Sequence, residues 1–233
     1  MKEKKRYSYE HPRPSLATDC VIFGFDGGTL KLLLTEREKE PFKNKWALPG
    51  GFVQMDETTE ACAERILKEK TGIKNVFVEQ LFTFSDIDRD PRERVISVSY
   101  FALVNKHQFE LSAGRDTLKA EWFEIADLPK LAFDHSKMVK TAIERLKGKV
   151  SYQPIGFELL AEKFTLTQLQ GVYEAILEKQ IDKRNFRKKI LSIGVLRALD
   201  EKEKNVARKA AQYFSFDKKA YKELTQKGIY FEI

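Results

Sequence analysis

Between Gly51 and Ile73 the chain reads GFVQMDETTEACAERILKEKTGI, a glycine-led loop entering a segment rich in glutamate. A strand, a glycine turn and a glutamate-bearing helix in this order can handle diphosphates. Carboxylates at i, i+3 and i+4 share one helical face and together hold Mg²⁺. The metal clamps the diphosphate and activates a water for attack on phosphorus. In this chain Ile66, Glu69 and Lys70 share such a face, and only Glu69 is a carboxylate.

The surrounding elements read as α+β. Asp19–Phe25 and Leu30–Leu34 are strand-like runs around Asp26-Gly27-Gly28, a good hairpin turn. A helix is expected from Glu57 to Lys70, stopped by Gly72. Val76–Thr83, Val95–Val104 and Glu121–Ile125 have strand composition. Phe133-Asp134-His135 then caps an expected helix over Ser136–Leu146, with Met138, Ala142, Ile143 and Leu146 on one face. Ser151–Pro154 reads as a linker, and Ile155–Ala161 as a short apolar helix that could pack on either side of it. Three regions follow: a flexible basic arm (1–16), a domain of mixed strands and helices (17–150) and a C-terminal domain (151–233).

Gly51, Glu57, Arg65, Leu67, Glu69, Gly72 and Ile73 fall in register with the Nudix box, and Leu48-Pro49-Gly50 precedes them. On these residues the chain resembles a Nudix domain over roughly 17–147, which implies a mixed sheet between helices. The departures fall on the metal face. Ile66 offers no ligand and the Lys70 ammonium repels a cation, while Glu69 alone cannot give Mg²⁺ its near-octahedral oxygen shell. Glu57 and Glu64 do not replace the lost groups: Glu64 lies well round the helix from Glu69, and Glu57 stands at the helix start, where it favours the dipole. Arg65 keeps its structural role. The expectation is a cleft retained without efficient hydrolysis and without a resident cofactor, Mg²⁺ entering only if hydrolysis survives.

Candidates to fill such a cleft come from FSDIDRDPRER, residues 84–94. Arginine forks bind phosphates and sugar hydroxyls, so Arg89, Asp90 and Arg94 are candidate ligand residues, weighed against a loop whose charges pair among themselves. Phe52 and Arg37 join them. His135 reads as a cap or packed histidine rather than a general base.

Composition bounds the partners. The chain has 233 residues, 42% hydrophobic and 33% charged, with no apolar run approaching a membrane span. Cys20 and Cys62 lack metal-ligand spacing, and a reducing cytoplasm suits them. Residues 151–233 carry 16 Lys and Arg against 11 Asp and Glu, while residues 1–150 carry 26 against 24. The excess fits a polyanionic partner, or a lysine-rich solvated surface.

Thr165 to Gln168 fits a capping box, and Leu166, Leu169, Val172, Tyr173, Ile176 and Leu177 keep helical spacing. After Glu178–Ile181, Asp182 is a second N-cap. The next helix buries Phe186, Ile190 and Ile193 and exposes Lys183, Arg184, Asn185, Arg187, Lys188 and Lys189. Two short strands, Val195–Leu199 and Gln212–Phe216, bracket a charged loop holding Lys202, Lys204, Arg208 and Lys209. This is the pattern of a winged helix-turn-helix, in which Arg and Asn read base edges and Lys neutralises phosphates. Lys183, Arg184, Asn185, Arg187, Lys188, Lys202 and Lys204 are the candidate DNA contacts.

A degenerate Nudix domain followed by a basic winged helix resembles the Nudix-related transcriptional regulators. DRDPRERVISVSY, PIGFELL, FTLTQL and DKRNFRKK carry the likeness. It implies a cytoplasmic, homodimeric repressor of operator DNA. Its effector would be ADP-ribose in members that control NAD biosynthesis, or a sugar in others. The rival reading is an active Mg²⁺-dependent hydrolase of the ADP-ribose pyrophosphatase type.

Overall fold

The structure, a computed structural model, describes residues 9–203 and 210–227. The first part runs β1 (Ser15–Asp26), β2 (Thr29–Arg37), β3 (Trp46–Ala47), β4 (Gly50–Phe52), α1 (Thr59–Thr71), β5 (Glu79–Phe84), β6 (Val95–Leu103), β7 (Thr117–Glu124) and α2 (His135–Tyr152). The second runs β8 (Phe164–Thr165), α3 (Leu166–Leu177), α4 (Lys183–Ser192), β9 (Leu196–Lys202), β10 (Gln212–Phe216) and α5 (Lys218–Lys227).

β1 is the spine of the first sheet. It pairs in parallel with β6 from Ser15 to Phe23 and antiparallel with β2 and β4. The strand order is β3-β2-β1-β6-β5, with β7 on β2. The β1–β2 turn needs φ of 58° and 84° at Gly27 and Gly28, values a Cβ disfavours.

Alternation along the strands divides the core. Val21, Phe23, Leu32 and Leu34 pack with Met138, Ala142 and Leu146 of α2, whereas Cys20, Ile22 and Leu33 pack with Ala63 and Leu67 of α1. The sheet thus lies between helices, as expected. The cluster on the α2 side continues without a gap into Leu169, Val172 and Tyr173 of α3, so the two parts of the chain share one apolar core.

Several expected boundaries move. Ser15 and Leu16 pair with Val95 and Ile96, so the arm does not extend to residue 16. Its residues 1–8 lie outside the described ones. α1 begins at Thr59 because the Thr58 hydroxyl caps it, accepting from the Ala61 N–H; Glu57 lies before the helix. Gly72, at φ 79°, closes α1 as expected, its N–H donating to the Lys68 carbonyl. α2 runs through Gly148 and the expected linker as far as Tyr152. A helical glycine costs about 1 kcal/mol, and the fully buried Val150 beyond it holds the helix in place. Ile155–Ala161 makes only a 3-10 turn, Phe157–Leu159, entered at Gly156 with φ 105°.

In the second part the Thr165 box forms with both hydrogen bonds present, and Asp182 accepts from the Asn185 N–H at 2.8 Å. β8, β10 and β9 make a three-stranded sheet. β8 and α5 have no counterpart in the expected elements. Lys202 belongs to β9, opposite Gln212, rather than to a loop. Lys204, Arg208 and Lys209 lie outside the described residues. Among the described residues no helix is long and apolar enough to cross a membrane.

Candidate functional site

A cleft of about 370 Å³ opens between the β3–β4 turn, α1 and the loops that follow β2, β5 and β6. Its walls carry seven Lys or Arg and five Asp or Glu side chains, together with Phe52, Phe133 and His135.

Arg65 organises one wall. Its Nε and Nη2 donate to the two oxygens of Glu57 at 2.8 and 2.6 Å, its Nη1 donates to Glu69 at 3.2 Å, and Nη2 also reaches the Phe52 carbonyl. Glu57 accepts a further bond from the Gln54 N–H. Glu57 and Arg65 therefore splint the glycine loop to the helix. The Arg65 hydrogen bonds lower the Glu57 pKa from 4.5 to about 2. A carboxyl depressed in the folded state contributes stability that is present above its unfolded pKa and lost as pH falls through the folded value. Acid unfolding is accordingly expected to gain slope between about pH 4.5 and 2. Glu57→Gln should remove that slope and cost on the order of 2 kcal/mol at pH 7, measured by urea titration at both pH values; an unchanged slope would show the splint to be unimportant.

The metal face does not suit Mg²⁺. Ile66 is buried and its Cδ1 lies 2.4 Å from where a Cβ on Gly51 would be, so it packs under the loop. Glu69 is shared between Arg65 and Arg115, the latter at 3.5 Å. Lys70 points its ammonium into the cleft, and burial lowers its pKa. Among the described residues no group of three His, Cys, Asp or Glu could hold a metal ion.

The opposite wall is built by the β5–β6 loop. Arg89, only 3% exposed, forks onto Asp134 at 2.8 and 3.1 Å and reaches Asp19 at 3.4 Å. Asp19 also accepts from the Ser97 hydroxyl at 2.6 Å. Arg89 is thus consumed by internal carboxylates, which a ligand would have to displace. Asp90 is likewise tied, by both oxygens, to Arg92. Burial pushes its carboxyl up, but these hydrogen bonds prevail and leave its pKa lowered. Arg94 turns away: it donates to the Asp86 carbonyl and does not line the cleft. The expected position for Arg94 is corrected: Arg89 and Arg92 line the cleft, whereas Arg94 is engaged by the Asp86 carbonyl of its own loop.

Arg37 and Phe52 do line the cleft. The Arg37 guanidinium, its pKa lowered by burial, stacks 4.9 Å over Phe133, and Arg92 lies 5.2 Å over Phe52 and 5.7 Å over Phe133. Arg92, Arg115, Asp116 and Phe133 escape sequence reasoning. Arg115 and Asp116 arrive because Gly114 passes so close to the Glu69 carbonyl that a Cβ would lie 1.9 Å from it, and the Arg115 N–H then donates to that carbonyl. The glycine before Arg115 was the one available sign. His135 is packed: its Nδ1 accepts from the Leu48 N–H at 2.9 Å and burial lowers its pKa.

The second candidate surface is α4. Phe186 and Ile190 are buried, with Phe186 edge-on to Tyr173 of α3 at 5.3 Å. The inter-helix turn is stapled by Glu174, which accepts from the Ile181 N–H, and by Gln170, which donates to the Ile181 carbonyl. This fixes α4 so that Lys183, Arg184, Asn185 and Lys188 are exposed. Arg187 is half-buried and donates to the Thr167 hydroxyl at 3.3 Å, which makes it a brace between α3 and α4.

Comparison with known proteins completes the picture. The NUDIX domain model matches residues 13–142, and the model of the NrtR DNA-binding winged helix domain matches residues 156–216. The ADPR responsive transcriptional repressor NtrR of Acinetobacter baylyi is 37% identical over 211 residues, 89% of this chain and 84% of its own. The ADP-ribose pyrophosphatase of Methanocaldococcus jannaschii is 42% identical over 137 residues, 59% of this chain and 76% of its own. Shewanella oneidensis NrtR, crystallised with a 27mer DNA, superposes with a TM-score of 0.79 at 32% identity, covering 89% of this chain and 95% of that one. Its Nudix domain in complex with ADP ribose superposes with a TM-score of 0.55 at 34% identity, covering 58% of this chain and 90% of that one. With the likeness continuous from the glycine loop through the basic helix, this chain belongs to the NrtR family of Nudix-related transcriptional regulators.

Proposed function

We propose that this chain is a transcriptional repressor that binds operator DNA through α4 and releases it when ADP-ribose enters the Nudix cleft. The observation that carries the reading is the pairing of a metal face spoiled by Ile66 and Lys70 with an exposed basic helix docked on the same core. The arginines of the cleft suit a diphosphate, and Phe52 and Phe133 offer faces for a nucleobase. The relatives support the ligand and the DNA by their own complexes.

A route for coupling exists in the packing. Asp134 and His135, at the start of α2, are bound by Arg89 and Leu48 of the cleft wall, and α2 packs in one cluster with α3. An effector that binds better to the arrangement unable to hold DNA weakens DNA binding, and DNA weakens effector binding by the same factor. As a homodimer the protein would place two α4 helices on half-sites of a palindrome, about 34 Å apart.

The test is fluorescence anisotropy on a palindromic operator and a scrambled duplex at physiological salt. Operator binding at least about a thousandfold tighter than scrambled binding is expected, with the operator Kd rising as ADP-ribose is added. Equal affinity for both duplexes would overturn the reading. A second reading, residual hydrolysis, rests on the pyrophosphatase relative; AMP and ribose phosphate released at enzyme-like rates with Mg²⁺, and abolished by Glu69→Gln, would establish it.

A further inference from the structure

Seven cationic side chains against five acidic ones line the cleft, an excess that favours an anion over a metal ion. Of its five acidic side chains, Glu69 is shared by Arg65 and Arg115, Asp90 is tied to Arg92, Asp19 is held by Arg89, and Asp116 pairs with Lys39 at 2.5 Å. Glu40 accepts from the Lys43 N–H at the rim. Lys70 is different. Among the described residues no carboxylate stands within ion-pair distance of its ammonium, although it projects from α1 into the cleft. A half-buried ammonium that feels Asp116 and Asp19 across the cleft but pairs with neither is poorly solvated and favours an anion beside it.

We infer that Lys70, with Arg37 and Arg115 around it, supplies the counter-charge that a divalent cation would otherwise supply to the diphosphate of the ligand, so that a nucleoside diphosphate sugar binds without metal. The substitution that ends metal-assisted hydrolysis is then the one that permits metal-free recognition. The ammonium neutralises and orients the phosphates but cannot generate hydroxide from bound water at neutral pH, as a divalent metal does. Ile66 contributes by filling the space under Gly51 with an alkyl group that offers a cation no ligand.

This inference rests on the ADP-ribose reading above, and isothermal titration separates the two. The full chain is titrated with ADP-ribose in EDTA and again in millimolar Mg²⁺. Equal Kd values within about twofold are expected. Lys70→Gln, checked for an unchanged melting temperature, should bind roughly tenfold or more weakly in both buffers, the worth of one charge-assisted hydrogen bond. Lys70→Glu should bind least in EDTA and recover part of the loss in Mg²⁺. Binding of the unaltered chain only in Mg²⁺ would overturn the role of Lys70 while leaving ADP-ribose as effector. Full-strength binding by Lys70→Gln would do the same. No binding in either buffer would overturn both readings.

Discussion

Arg89→Met is expected to lower the stability of the whole chain by about 3–5 kcal/mol, more than any single change on its surface. The reason is what it leaves behind. Asp19 and Asp134 are 9% and 15% exposed at their side chains and converge on one guanidinium; without it, two carboxylates face each other away from water. Coulomb repulsion and desolvation then act together. Arg89→Lys should rescue little, because a point charge cannot replace two parallel hydrogen bonds to Asp134. Arg89→Met combined with Asp134→Asn should recover part of the loss by removing one of the stranded charges. Urea denaturation reads all three. A loss below about 1 kcal/mol for Arg89→Met would mean that the site is hydrated, and would return Arg89 to the ligand residues. The same ion cluster anchors the start of α2, so its integrity bears on the effector response as well as on folding.

What the sequence discloses depends on how local the deciding interaction is. The Thr165 box and the Asp182 cap lie three residues from the N–H groups they satisfy, so they could be read directly. So could the β1–β2 turn, because two adjacent glycines meet its dihedral requirement. Arg89, Asp90 and Arg94 look alike as charged members of one loop, and their fates diverge only through distant partners. Arg89 is buried by Asp134, 45 residues on, whereas Arg94 is turned out by the Asp86 carbonyl. Arg115 reaches the cleft through a backbone contact across 46 residues of sequence, Arg115 N–H to Glu69 carbonyl. No periodicity or motif records such a contact. The end of α2 was hidden for a different reason: exposed Gly148 looks like a stop, but Val150 beyond it is buried by tertiary packing that local propensity does not contain.

Charge reversal at Arg184 and Lys188 together is expected to weaken operator binding by on the order of a thousandfold, from about 1–3 kcal/mol per lost contact with added repulsion from the phosphates. Both side chains are exposed on α4, one turn apart, and neither takes part in a hydrogen bond or ion pair within the described residues, so the melting temperature should hardly move. The milder substitutions divide their roles. If Arg184 reads a base edge near the start of the helix, Arg184→Ala relaxes preference at one operator position; if Lys188 neutralises a phosphate, Lys188→Ala weakens all duplexes alike and flattens the plot of log K against log salt by about 1. Arg187→Ala is the instructive contrast. Its bond to Thr167 joins α4 to α3, so its loss should lower stability and DNA binding together, and a conservative Arg187→Lys should restore neither fully. Anisotropy across a salt series, with thermal melts in parallel, distinguishes the cases: Arg184 and Lys188 change affinity at constant stability, while Arg187 changes both. If the double reversal left operator affinity within tenfold of the unaltered chain, α4 would not be the helix that enters the groove.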